Sequence, residues 1–337
     1  MQTIIDFLMR PWPWWFSGAV ISLVMFSMIF FGKSFGFSSN LRTLCSVAGA
    51  GKKVAFFDFN WKSQIWNLVF LAGAIIGGFI AKQFLSYDEP FILAESTRND
   101  LLAFGFGNPE SVQPAELFSW TAATSIRGFL VLAFGGFMVG FGSRYAGGCT
   151  SGHAISGISN LQVPSLIAVI GFFIGGLVMT HLLFPLNFLK YNFSRKTMKL
   201  VKFIKFLVVG VIFGIVMAKS EAISWYRIQE MFRFQSFHMY GIIGTAVTLG
   251  VIGVALIKKF KMKDLQGNPI FFAPKEKAIF RYLGGGIIFG LGWALSGACP
   301  GPMVVNIGYG YFSMAIVFLF AILGTFLYGV IKDKLPH

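Results

Sequence analysis

Eight stretches of uninterrupted apolar sequence, 14 to 21 residues long against the roughly 20 with which an α-helix crosses a hydrocarbon core, leave this chain few possible folds. They run from Trp14 to Phe31, Ile65 to Leu85, Gly128 to Phe141, Ser165 to Phe184, Phe203 to Ala218, Tyr240 to Ile257, Tyr282 to Leu295 and Phe312 to Ile331. A membrane β-barrel would alternate apolar and polar residues over segments of about ten, and these runs do not alternate. A soluble globule is excluded as well. With 55% hydrophobic and 12% charged residues and a mean hydropathy of +0.71, the chain has too little polar surface to wrap itself in water. The sequence therefore predicts an all-α polytopic membrane protein. Pro11 and Pro13 precede a tryptophan-rich start, with no charged region followed by a small-residue cleavage site, so the first span is expected to stay in the mature protein. Trp12, Trp14 and Trp15 read as an interfacial belt.

Charge gives the orientation. The 28 basic against 13 acidic residues report loop placement and contact with anionic lipid before they report nucleic acid. Residues 187–205 carry six basic residues and no acid, Lys258 to Lys263 is similarly basic, and Lys52 and Lys53 lie between the first two spans; all are expected in the cytoplasm. Residues 86–116 hold six acids against Arg98 and are placed outside. These assignments put the N-terminus in the periplasm and the C-terminus in the cytoplasm of a bacterial inner membrane. They require about nine transmembrane helices, one more than the visible spans, so one of the short stretches at 33–48, 144–160, 219–236 and 297–310 is expected to cross too. These stretches, rich in Gly, Ser and Cys, read as broken or re-entrant helices that protein must cover or a cavity must hydrate.

The second constraint is an internal repeat. A shift of 150 residues lays Gly135, Gly136, Gly140, Gly142, Gly147 and Cys149 over Gly285, Gly286, Gly290, Gly292, Gly297 and Cys299 without a gap. A looser match sets Lys33-Ser34 beside Lys219-Ser220. Duplication of this kind predicts one integral membrane domain of two halves, 1–190 (with the external loop 86–116) and 191–337, related by a pseudo-twofold axis with a site where broken helices meet.

Both repeated segments end a glycine-ridged helix on a thiol. Around Cys149 stand Gly148, Thr150, Ser151 and His153; around Cys299 stand Gly297, Pro300 and Gly301. Pro300 disfavours a helical conformation at Cys299 and Gly301 permits an unusual one, so the thiol sits at a helix break. At such a break unpaired N–H groups and the positive end of a following half-helix favour an anion. A thiol is a soft, weak donor suited to a large sulfur-bearing anion. Taken singly, each cysteine is more simply a small buried hydrophobe. The shared register of Cys149 and Cys299 favours function, because close helix packing explains the glycines but not a thiol twice at one place. His153 reads as a hydrogen-bonded polar group inside the bundle, Gly140, Gly142, Gly290 and Gly292 as packing positions, and Lys33 and Lys219 as snorkelling residues or as attractants at an entrance. The three cysteines, Cys45, Cys149 and Cys299, show no C-x-x-C spacing for zinc or redox work.

The motifs GGCTSGH and SGACPGP, with the passage FGIVMAKSEAISWYRIQEMFRF at 213–234, resemble the YeeE/YedE family of sulfur-compound transporters over about residues 32–329. That resemblance implies thiosulfate uptake through an hourglass-shaped protein of pseudo-symmetric halves. Three thiols on a central path would pass the ion on by transient S–H to sulfur hydrogen bonds. By motif these are Cys149, Cys299 and, as the third, Cys45, whose surroundings SSNLRTLCS depart from the family pattern. The resemblance also implies a TusA-like cytoplasmic sulfur-carrier protein as partner, and some relatives serve selenium metabolism. No catalytic residue, metal or cofactor is expected, and without a G-x-x-x-x-G-K-[ST] run ATP is not the direct energy source. The competing reading is a membrane sulfurtransferase that forms a persulfide on Cys149, with His153 as the candidate base.

Overall fold

The computed structural model describes residues 2–86, 91–107, 111–183, 204–276 and 278–336. Among them all regular structure is helical, and twelve helices build the bundle: α1 (Trp14–Phe30), α2 (Ser39–Val47), α3 (Ile65–Phe84), α4 (Ile126–Tyr145), α5 (a π-helical turn Ser151–Ile155 running into Ser156–Ser159), α6 (Val163–Val178), α7 (Ile204–Lys219), α8 (Trp225–Phe232), α9 (His238–Lys259), α10 (Ile279–Ser296), α11 (Pro300–Tyr309) and α12 (Met314–Ile331). Each predicted span contains one long helix. Six helices have the length and hydropathy of a membrane crossing, and α1 and α7, at 17 and 16 residues, are shorter apolar helices.

The order long, short, long recurs four times, and the packing follows it. Helix α3 lies against α7 and α1 against α9; α4 lies against α12 and α6 against α10. Exchanging the first six helices for the last six maps each of these contacts onto another. It also maps α3 on α11 onto α9 on α5, and leaves α4 on α10 in place. Glycines set the distances of closest approach. A Cβ on Gly140 would strike the Ala321 carbonyl, and one on its counterpart Gly290 the Phe172 carbonyl. Gly142 and Gly292 face α10 and α4 across the central contact in the same manner. All four are packing positions, as expected.

Direction follows from the same contacts. Gly73 meets Leu207 and Gly77 meets Val211, so α3 and α7 run in parallel. At one end of the bundle Trp12 N–H donates to the Lys219 carbonyl (2.7 Å) and the Ser313 hydroxyl to the Phe118 carbonyl (2.8 Å). At the other, Arg281 Nε donates to the Tyr145 carbonyl (3.0 Å) and the Lys258 ammonium to Asn160 (2.6 Å). The described parts of the acidic segment, 91–107 and 111–116, belong to the first end; Lys52, Lys53 and Lys258 to Lys263 belong to the second.

The expected crossing by a short stretch is corrected here. Helices α2, α8 and α11 have 9, 8 and 10 residues and α5 is similarly short. Ten residues rise about 15 Å, half of a ~30 Å hydrocarbon core, so none of them crosses alone. Instead α6 ends at the first end, where Arg233 reaches the Thr180 carbonyl (3.0 Å), while α7 starts at the second. Residues 184–203, including most of the segment assigned to the cytoplasm at 187–205, lie outside the described residues.

Candidate functional site

The two repeated thiols occupy equivalent local structures. Helix α4 stops at Tyr145, Gly147 takes the left-handed φ of +78°, and a new helical turn starts at Thr150 directly after Cys149. Helix α10 stops at Ser296, Gly297 takes +64°, and α11 begins at Pro300 directly after Cys299. Only glycine adopts that φ without cost, which fixes Gly147 and Gly297 two residues before each thiol. Proline at the first helical position gives up no hydrogen bond there, which accounts for Pro300. Each cysteine therefore precedes the start of a half-helix, where Thr150 and Ser151 carry N–H groups in α5 and Gly301 alone does in α11, since Pro300 and Pro302 have none.

The two sites touch. The Thr150 hydroxyl donates to Cys299 Sγ (3.1 Å), and Cys149 Sγ lies 3.2 Å from the Ser151 hydroxyl, which accepts from Phe37 N–H (3.2 Å). Cys149 is 0% exposed and Cys299 8%. Gly301 faces the rings of Phe37 and Phe213, which join Phe35 and Phe70 in one aromatic cluster. Cys45 is placed elsewhere. Its thiol donates to the Ile322 carbonyl at 3.5 Å, between α2 and α12, outside this pair.

His153 is fully buried and both ring nitrogens are occupied. Nε2 lies 2.9 Å from the Ala146 carbonyl and must donate to it, which makes Nδ1 the acceptor from the Lys275 ammonium (3.0 Å). The ring packs against Gly148, where a Cβ would come within 2.7 Å of it. Lys219 is buried and ties the Met9 and Leu85 carbonyls, so it holds segments together at the first end. Lys33 opens onto a cavity at the second end, consistent with an entrance residue.

That cavity, a vestibule of about 530 Å³, reaches down to Gly147, Gly148 and Gly152 beside Cys149. Lys33, Arg144, Lys275 and a single acid, Asp264, line it. Lys275, from the segment between α9 and α10, also donates to Ser165 Oγ (2.8 Å) and the Gly152 carbonyl (3.2 Å). Burial pulls its ammonium down to about 8 from 10.5. Sequence reasoning missed Arg144 and Lys275. The available signal was an arginine without an acidic neighbour, five residues before a repeated thiol. It also missed an ion cluster near the first end, where Arg227 binds Glu221 (Nε to Oε2, 2.8 Å) and Glu230 (2.6 Å).

The family model described as Sulphur transport matches residues 113–178 and 219–334. Both thiol motifs fall within the match and Cys45 falls outside it. Two proteins of Xylella fastidiosa, each named "Probable transporter", are similar to this chain. That of strain Temecula1 is 31% identical over 121 residues, which is 34% of this chain and 80% of its own; that of strain 9a5c is 32% identical over 115 residues, 33% and 77% respectively.

Proposed function

Because this chain belongs to the sulphur-transport family, we propose that it carries thiosulfate, or a closely related sulfur oxyanion, from the periplasm to the cytoplasm across a bacterial inner membrane. The first end of the bundle is then periplasmic and the second cytoplasmic, with halves 1–190 and 191–337 meeting at the thiols. The observation that carries the proposal is the duplicated helix break, with Thr150 of one break donating to Cys299 of the other at 3.1 Å.

The chemistry suits a soft anion. An ion leaving water needs donors that replace its hydration and yet release it. Two S–H groups, the hydroxyls of Thr150 and Ser151 and the few N–H groups at the half-helix starts, Gly301 alone in α11, supply weak donors, none of them charged. The ion's terminal sulfur accepts from one S–H and then the other, and no covalent bond changes. The sulfurtransferase alternative needs a neighbouring base or cation to lower the thiol pKa of Cys149; His153, with both nitrogens engaged, offers no base, and the mass of Cys149 after turnover decides between the two readings.

Vesicles containing the purified protein are expected to accumulate labelled thiosulfate well above empty vesicles, and Cys149 recovered afterwards is expected to show no added sulfur by mass spectrometry. Uptake equal to that of empty vesicles would overturn the substrate assignment. A persistent one-sulfur mass gain on Cys149 would replace transport by group transfer.

A further inference from the structure

The cytoplasmic vestibule contains a cation without an anion. Arg144, in the last turn of α4, makes one hydrogen bond, from Nη2 to the Ser38 hydroxyl (2.6 Å), and its Nε is enclosed with no partner at all. Among the described residues no carboxylate pairs with it, and the ionisable groups that face it are Cys149, Arg42, Tyr328 and Arg281. Asp264, the one acid in the cavity wall, spends its carboxylate on its own turn, accepting from Gln266 N–H (2.9 Å) and Asn268 N–H (2.8 Å). Lys275 and Lys33 add two positive charges to the same wall, also without carboxylate partners.

A guanidinium enclosed at the end of a membrane helix either has a counter-ion or binds one. Its planar edge matches two oxygens of a tetrahedral oxyanion, which a thiol does not. We infer that the vestibule is a binding site for a small divalent oxyanion, in which Arg144 holds the oxygen-bearing end of the ion and Lys275 and Lys33 hold its charge. The floor at Gly147 and Gly148 leads directly to Cys149. The transported ion thus has two handles, its sulfur for the thiols and its oxygens for Arg144, and the vestibule receives it on the cytoplasmic side. This inference rests on the transport reading for its place in the route, and on Arg144, Lys275 and Lys33 for binding.

Calorimetry on the purified full-length protein tests it, with sodium sulfate and sodium thiosulfate as separate probes. Wild type is expected to bind both ions, since both present the same oxygens. Arg144→Gln is expected to weaken both at least tenfold and Arg144→Lys to weaken them less, because the lysine keeps the charge and loses the fork. Lys275→Gln, whose side chain comes from a loop, is the check should Arg144→Gln not fold, with a loss of several-fold expected. Wild-type affinity for sulfate in folded Arg144→Gln, or no sulfate binding by wild type, would overturn the inference. Sulfate binding that depends on Arg144, in a protein whose vesicles do not accumulate thiosulfate, would uphold the site and reject the transport assignment.

Discussion

Cys149 and Cys299 were legible in the sequence because a fixed 150-residue shift places both after the same glycine pattern, and that pattern has a local cause in the left-handed turns at Gly147 and Gly297. Their link through Thr150 was not legible, since the counterpart of Thr150 in the repeat is Pro300 and the contact joins residues 149 positions apart. Thr150→Val, which keeps the shape and removes the donor, is expected to cost about 1 kcal/mol in thermal or denaturant unfolding and to slow thiosulfate uptake. His153 matches its bland reading as a bonded polar group. Lys275 gives a pH prediction. Its ammonium titrates near 8, so anion affinity is expected to fall as pH rises through that value and the vestibule, which also holds Arg144, Lys33 and Asp264, loses one positive charge. The sign for stability is opposite. Between about 8 and 10.5 the unfolded chain binds the proton that the folded chain has released, so the burial cost is present below 8 and relieved across that window. Calorimetric titration of sulfate at several pH values should show the affinity step in wild type and lose it in Lys275→Met.

At the scale of elements, the eight long helices were readable from apolar length alone, because in lipid every backbone group must be satisfied within its own segment. The short helices were readable only as interruptions, since 8 to 10 residues carry too little periodicity to separate a half-helix from a loop. Apolar length also gave no direction, so a further crossing was assigned to a short stretch, none of which is long enough to cross; the parallel packing of α3 on α7 supplies the direction. The glycine ridges make two contrasting predictions. Gly140→Ala would drive a methyl into the Ala321 backbone, and a loss of about 1–3 kcal/mol in unfolding free energy is expected. At Gly152 an added methyl meets nothing within 4 Å, so Gly152→Ala should fold as wild type and narrow the vestibule. Equal melting temperatures for the two variants would contradict this account of the ridges.

For the whole molecule, charge and packing agree. Lys52, Lys53 and Lys258 to Lys263 lie at the end that holds the vestibule and the described parts of the acidic segment, 91–107 and 111–116, at the other, the distribution expected when the vestibule faces the cytoplasm. The exchange of packing partners between the first and last six helices accompanies two thiol breaks that touch, and the chain's own asymmetry decides what surrounds them: Thr150 against Pro300 at the breaks, and Lys33, Arg144 and Lys275 in a vestibule at the second end. An impermeant maleimide applied to intact cells should label a cysteine introduced as Glu95→Cys and spare one introduced as Gln266→Cys; the reverse pattern would invert the orientation. The most direct test of the central claim is the initial rate of labelled thiosulfate uptake by vesicles containing wild type, Cys149→Ala or Cys299→Ala at equal protein incorporation. The account predicts that either alanine, which removes a thiol at little cost in volume, brings uptake down to the level of empty vesicles. Wild-type rates in both variants would contradict it.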